Sequence, residues 1–171
     1  QDVALLNARI KAEQGDMAGA QALMEDHIKS LDPKAITYRP FASFGQFLSE
    51  RQMYNESVAM YERGRAYQTA GVMEVDRMVG DMLSTIGRSD LAVPYYERIV
   101  DGMADGANQE VRLRLVEMLL NLQKWDDAGK YMDGVTVGGR SDPIVPLLRA
   151  DVAAGKKDDR KAREIYDRVI T

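Results

Sequence analysis

Five stretches of the chain repeat one pattern of polar, small and large residues. Each begins polar, reaches a small residue after five positions, and places two large residues three and four positions beyond it. Large residues at that spacing from a small one lie on one face of a helix. The pattern therefore predicts five similar helices, and their small residues, at intervals of 37, 35, 36 and 34 positions, are Ala20, Ser57, Ala92, Ala128 and Ala162.

A second helical pattern precedes each of these helices. The clearest example is "FASFGQFLSERQMY", where Phe41, Phe44, Gly45 and Leu48 stand at i, i+3, i+4 and i+7. Each unit is therefore predicted to be a helix, a short turn and a second helix. The same columns hold Val79, Gly80 and Leu83, then Leu115, Val116 and Leu119, and the terminal units carry Ala8 and Ala150 in the small column.

A repeat of this length is typical of a solenoid, in which each hairpin buries its apolar face against its neighbours. We expect residues 1–171 to form a single solenoid domain, cut from a longer protein. The predicted units are approximately 1–36, 37–71, 72–107, 108–141 and 142–171.

The residues of the small columns and the glycines of the turns are expected to have different structural roles. Two helices packed ~8–10 Å apart need small side chains where their backbones come closest, so Ala92 is expected to face Gly80. Gly15, Gly87 and Gly155 instead suit left-handed helix ends.

The arrangement resembles the tetratricopeptide repeat. A large–x–x–large–Gly–x–x–large helix ("FASFGQFL"), a turn and an alanine-centred helix ending "YYERIV" recur every ~34 residues over nearly the whole chain. The sequence departs from the family pattern at Ser57, which replaces the usual alanine, and at Arg149, which stands in a large-residue column. The resemblance implies an all-α fold: a right-handed superhelical solenoid of about five helix-turn-helix repeats.

In this family the first helix of each unit lines a concave groove that takes a peptide or a partner helix. Basic residues fall in the front half of the predicted groove and acidic residues in the rear half, so we expect an extended ligand to bind with its acidic part at the amino-terminal units. The alternative is that these are ordinary solvated residues. Carried over column by column, the predicted partner-binding residues are Arg9, Arg39, Gln46, Arg77, Asp81, Glu110, Glu117 and Asp151.

Composition narrows the partners and the chemistry. The chain has 23 basic and 27 acidic residues, a net charge of −4, which disfavours nucleic acid because phosphates require a basic surplus. There are no cysteines, so disulfides, cysteine nucleophiles and cysteine zinc sites are excluded. No stretch approaches the ~20 apolar residues of a membrane span, so this segment is expected to be soluble, either cytoplasmic or periplasmic.

No catalytic, cofactor or metal site is predicted. The single histidine, His27, falls in a helix column with Ile99 and Val135, which favours packing over a pH-sensitive or binding role. Residues 101–108, "DGMADGAN", lack the spacing of an EF-hand and read as a turn between units. No P-loop, dinucleotide fingerprint or HExxH motif is present.

Two aromatic features have both a packing and a binding interpretation. Phe41 and Phe44 fit core columns. Phe47 fits a core column less clearly and could extend an aromatic strip that binds a peptide. Trp125 is better explained as a hydrophobic staple at a helix start than as a binding anchor.

Our main hypothesis is a non-enzymatic scaffold that binds a protein or peptide in its groove. The alanine-rich, methionine-containing style resembles arrays of bacterial envelope and secretion assemblies. A second hypothesis is a regulatory or self-association module attached to an enzyme or assembly component elsewhere in a longer chain, and it leaves homo-oligomers open. A third, an RNA-reading helical repeat, requires a basic groove and is disfavoured by the acidic balance.

Overall fold

The computed structural model describes residues 3–34, 36–68, 73–102, 108–136 and 144–170. Within these ranges the backbone forms ten α-helices and no strand, which confirms the predicted all-α fold. The helices are α1 (Val3–Glu13), α2 (Met17–Ser30), α3 (Arg39–Glu50), α4 (Tyr54–Arg65), α5 (Glu74–Thr85), α6 (Ser89–Asp101), α7 (Gln109–Asn121), α8 (Trp125–Asp133), α9 (Ile144–Gly155) and α10 (Asp159–Ile170).

One turn geometry joins the two helices of every hairpin. A residue with positive φ stands five positions before each small marker residue. Its own N–H bonds the carbonyl three residues back, and the next N–H bonds the carbonyl five residues back, the double closure of a Schellman motif. The five left-handed residues are Gly15 (φ 84), Gln52 (φ 62), Gly87 (φ 77), Gln123 (φ 58) and Lys157 (φ 63).

The prediction for glycine at these turns is confirmed for two residues and wrong for the third. Gly15 and Gly87 have the left-handed conformation, but Gly155 is the last residue of α9 and Lys157 takes the left-handed position instead. A Cβ on Gly155 would lie 2.2 Å from Cε3 of Trp125. Gly155 therefore makes room for the Trp125 ring, which fits the predicted packing role of Trp125.

The helices form two compact units, Gln1–Val79 and Gly80–Thr171, and α5 spans the boundary. That residues 1–171 form one domain stays a prediction. In the first unit α1 packs on α2 and α3 packs on α4. Its core contains the three phenylalanines of α3, with Phe47 fully buried and stacked on Phe44 at 5.5 Å between ring centroids. The aromatic residues of α3 therefore belong to the core, and the strip interpretation of Phe47 is wrong.

The small columns lie where paired helices approach closely. In the first unit a Cβ on Gly45 would stand 3.0 Å from the ring of Tyr61, and in the second unit a Cβ on Gly80 would stand 3.1 Å from the ring of Tyr96. Ser57, the departure from alanine, is fully buried, and its hydroxyl donates a 2.7 Å hydrogen bond to the Gly45 carbonyl. The serine therefore joins α4 to α3 through the same gap that alanine fills elsewhere.

In the second unit α6, α7, α8, α9 and α10 pack in sequence order, with a further contact between α7 and α9. The contact of α7 with α9 joins the first helices of two consecutive hairpins. Its core is again made of the repeat columns, among them Ala92, Tyr96, Leu115, Val116, Leu119, Ala128 and Ala150, each at most 1% exposed.

Candidate functional site

The first helices, α1, α3, α5, α7 and α9, carry all eight predicted partner-binding residues, and we call their exposed side the first-helix face. Seven of the eight are exposed to solvent, and Asp81 is half-buried. In the first unit Glu50 connects two of them: Arg9 lies 3.6 Å from its carboxylate and Gln46 donates a 3.2 Å hydrogen bond to it. The guanidinium of Arg9 also lies 5.7 Å from the centroid of the buried Phe47 ring.

Asp81 is the best-supported side chain of this face in the second unit. Its carboxylate accepts a hydrogen bond from the Tyr96 hydroxyl and a 2.8 Å hydrogen bond from Arg114 on α7. Arg114 also lies 3.3 Å from the Tyr96 oxygen. Desolvation and the hydrogen bond to Asp81 raise the pKa of Tyr96 well above its usual value. The tyrosine therefore stays a neutral donor that fixes the position of the carboxylate.

The same arrangement recurs in the last hairpin. The Tyr166 hydroxyl donates to Asp151, and this hydrogen bond raises the pKa of Tyr166. Tyr96 follows Asp81 by 15 residues, and Tyr166 follows Asp151 by the same number. Tyr96 packs over Gly80, the small residue just before Asp81, so its hydroxyl reaches the carboxylate.

Sequence reasoning missed the residues that support this face: Glu50, Tyr96, Arg114 and Tyr166. The tyrosines left a signal, because the 15-residue spacing of tyrosine and aspartate occurs twice in equivalent columns. Glu50 and Arg114 left no signal in the sequence. Their contacts depend on the conformations that long, flexible side chains adopt at a helix interface.

The remaining predicted residues lie on α3, α5 and α7. Arg39 lies at the start of α3 and Arg77 in α5, both exposed. Glu110 and Glu117 are exposed on α7. Glu117 and Asp151 stand in equivalent columns of α7 and α9, helices that pack against each other, so they are expected to be about one interhelical distance apart, ~10 Å.

Two clefts open on the other side of the hairpins, between a second helix and the two helices of the next hairpin. The α2–α4 cleft, in the first unit, has a volume of about 300 Å³ and a floor of Phe44, Leu48 and Met60. The α8–α10 cleft, in the second unit, has about 650 Å³. It is lined by Gly129, Lys130, Arg149, Ala153, Lys156 and Lys161, among others.

An ion pair borders the smaller cleft. Both terminal nitrogens of Arg63 donate to the Glu25 carboxylate, one of them at 3.0 Å, joining α4 to α2. The hydrogen bond from Arg63 holds the pKa of Glu25 below its usual value. A lowered folded-state pKa gives stability that is present above the unfolded-state pKa of ~4.3 and is lost as pH falls through the folded value.

Glu25→Gln should therefore destabilise the chain at neutral pH and not in acid. We expect a loss of at most ~1 kcal/mol at pH 7, because the pair is partly exposed, and convergence with the parent near pH 3. Urea unfolding at both pH values measures the difference. Asp26→Asn, at the adjacent exposed carboxylate, is the matched control. A Glu25→Gln deficit that persists unchanged at pH 3 would contradict the role of the ion pair.

Other sequence candidates lie away from both surfaces. His27 is half-buried on α2, beside Val3, Asn7 and Ser30, consistent with the predicted packing role. Of the segment read as a turn, residues 103–107 lie outside the described residues. In the described ranges no helix has the length and apolar character needed to cross a membrane.

Comparisons with known proteins agree with a fold of helical hairpins. No protein-family model matches the sequence, and no curated protein is significantly similar to it. Solved structures do match. YrrB, a TPR protein with an unusual peptide-binding site, shares 23% identity over 98% of this chain and 83% of its own, with a TM-score of 0.60.

Two further structures extend the comparison. A tetratricopeptide repeat protein from Parabacteroides merdae is 12% identical over 99% of this chain, with a TM-score of 0.62, and this chain spans only 65% of its length. MamA (AMB-1) is 19% identical over 98% of this chain and 88% of its own, also with a TM-score of 0.62. With ten helices in its described ranges, one turn geometry in every hairpin and these matches over nearly its whole length, the chain has the superhelical solenoid fold of the tetratricopeptide-repeat proteins.

Proposed function

We propose that this chain is a non-enzymatic scaffold that binds a peptide or partner protein on its first-helix face. The proposal is supported by one position of the first helices that is polar in every hairpin. The residue after each small position of a first helix is polar and at least partly exposed, and it reads Arg9, Gln46, Asp81, Glu117 and Asp151 along the chain. A polar side chain at the same place in every hairpin gives a ligand one contact per repeat.

Support for two of these side chains favours binding over mere solvation. Asp81 and Asp151 are each held by a tyrosine hydroxyl, so little rotamer freedom remains to be lost when a ligand donor approaches. A carboxylate kept only for solubility needs no such support. The peptide-binding site of YrrB, which has the same fold, agrees with a ligand of this class.

The charges on the face suggest how a ligand is oriented. Arg9, Arg39 and Arg77 belong to the first unit, whereas the second unit contributes Asp81, Glu110, Glu117 and Asp151. The first unit would therefore accept an acidic part of a ligand, and the second unit a basic part. Complementary charges of this kind set direction and association rate more than affinity.

Charge reversal at Arg39 and Arg77 tests this orientation. An affinity pull-down with the parent chain identifies partners, and the association rate of a captured partner is then measured at several salt concentrations. The double variant Arg39→Glu, Arg77→Glu should associate about tenfold more slowly, with a reduced salt dependence. Lys29→Glu, on a second helix, is the matched control, and thermal melts check folding. Equal rates for parent and double variant would dismiss the proposed orientation.

A specific observation also favours self-association as a second candidate function. Val3, Leu6 and Ile10 form a stripe on α1 and are 67%, 49% and 47% exposed. Such a stripe is suited to a second copy of the chain. Light scattering over a range of concentrations distinguishes the candidates, because a scaffold with one copy per partner keeps a constant monomer mass.

A further inference from the structure

The α8–α10 cleft and the α2–α4 cleft occupy the same place in their hairpins, so their linings can be compared column by column. Two columns have smaller side chains in the α8–α10 cleft. Gln21 of α2 corresponds to Gly129 of α8, and Leu48 of α3 corresponds to Ala153 of α9. The α8–α10 cleft, with the smaller side chains at both positions, has about 650 Å³ against about 300 Å³, and the Lys156 ammonium lies over Gly129, 2.9 Å from where a Cβ would stand. The larger volume lies within the ~300–1,000 Å³ typical of ligand sites.

Arg149 is the second difference between the clefts. It stands in the column of Phe44, which forms the apolar floor of the smaller cleft. One terminal nitrogen of Arg149 donates a 2.8 Å hydrogen bond to the Val135 carbonyl. Its Nε is buried and has no hydrogen-bond partner among the described residues. A half-buried arginine with an unused buried donor is costly in a column that holds Phe44, Val79 and Leu115 in the three middle hairpins, so it calls for a function.

Charge distinguishes the two linings as well. The α8–α10 cleft has four cationic residues, Lys130, Arg149, Lys156 and Lys161, against three carboxylates. One carboxylate, Asp126, pairs with Lys156 at 3.1 Å, and Asp158 accepts the Lys161 backbone N–H at the start of α10. The α2–α4 cleft has an excess of acid instead, with Glu25 and Glu56 against Arg63.

Apolar groups complete the α8–α10 cleft. Met132, Val152, Ala153 and Ile165 line it beside the cations, so the site offers apolar surface next to guanidinium and ammonium groups. A ligand that matches both features has an aliphatic side chain next to a carboxylate. A glutamate side chain adjacent to leucine in a peptide has this chemistry, and a guanidinium binds a carboxylate through paired N–H donors.

We propose that the α8–α10 cleft binds an acidic peptide segment, with a side-chain carboxylate on Arg149 and a neighbouring aliphatic side chain against Val152, Ala153 and Ile165. None of the eight residues of the first-helix face lines this cleft. The inference therefore adds a second recognition surface and does not depend on the proposed function of the first.

Fluorescein-labelled, C-terminally amidated peptide pools test the proposal. One pool carries a fixed Leu-Glu pair among random positions, and its counterpart carries Leu-Gln. Fluorescence anisotropy with the full chain should show about tenfold tighter binding of the Leu-Glu pool, the difference expected for one charge-assisted contact, and this preference should fall with added salt. Equal affinity for the two pools, or binding of neither, would overturn the proposal.

Variants of the cleft locate the contact. Arg149→Met keeps a large side chain in the column and should remove the preference for glutamate. Ala153→Leu introduces the leucine that the α2–α4 cleft has at this position and should weaken both pools. Lys29→Glu, a charge change on α2 outside the cleft, should leave the preference intact. A preference for glutamate that survives in Arg149→Met places the site elsewhere and refutes the inference, and amide chemical shifts at Gly129 provide a second readout.

Discussion

Phe44→Ala is expected to lower the free energy of unfolding of the first unit by about 3–5 kcal/mol, the usual cost of deleting a fully buried phenylalanine. Phe44 is 1% exposed, and its ring stacks on Phe47 and lines the α2–α4 cleft with Leu48 and Met60. Because the surrounding core relaxes only partly, the cavity left by the ring adds its own penalty. Urea unfolding followed by circular dichroism measures the loss.

Gln46→Ala is the control for this prediction. Gln46 stands two residues further along α3 and is exposed, so its truncation should change stability by no more than ~0.5 kcal/mol. Hydrogen exchange localises the effect, because amides of α3 and α4 should lose protection in Phe44→Ala. A loss below about 1 kcal/mol would mean that the column shared by Phe44 and Arg149 does not form a core position in the first unit.

The fold could be predicted from the sequence because the residues that determine it recur at regular intervals. A small residue every 34 to 37 positions places each second helix, and the i, i+3, i+4, i+7 pattern places each first helix. Both signals depend on which side chains are buried, and burial dominates the free energy of folding. The burial of Ala92 and the close approach of Gly80 to the next helix follow from that pattern alone.

The turns were only partly predictable for a physical reason. Gln52, Gln123 and Lys157 have left-handed backbones although their side chains disfavour that conformation. The pair of Schellman hydrogen bonds at each turn offsets the cost, and these bonds depend on where the first helix ends. Sequence preference therefore identified Gly15 and Gly87 and misplaced the third glycine.

The candidate surfaces were predictable to different degrees. Column position was enough to place the eight residues on first helices, because side-chain direction in a helix follows the backbone. The partners of the charged side chains could not be predicted, since Glu50, Arg63 and Arg114 reach their partners through flexible side chains. The α8–α10 cleft depends on volume differences between equivalent columns, and in the sequence only the charge of Arg149 in an apolar column pointed to it.

Ala92→Leu is expected to destabilise the second unit by about 1–3 kcal/mol through overpacking. Ala92 is fully buried in α6, one turn before Tyr96, and a Cβ on Gly80 would stand only 3.1 Å from the Tyr96 ring. Extra methylene groups there must displace Tyr96 or separate α6 from α5. Displacing Tyr96 would also remove the hydroxyl that positions Asp81, so the first-helix face should change with stability.

The same substitution at an exposed site separates overpacking from other effects of leucine. Ala154→Leu, near the end of α9, should change the free energy of unfolding by less than ~0.5 kcal/mol, because Ala154 is exposed. The midpoint of thermal unfolding and the near-ultraviolet circular dichroism of the tyrosines report on the two variants. If Ala92→Leu proved as stable as the parent, the helices would have room for a large side chain at this position. Alanine in this column would then not determine the ~8–10 Å helix spacing on which stacking of the hairpins depends.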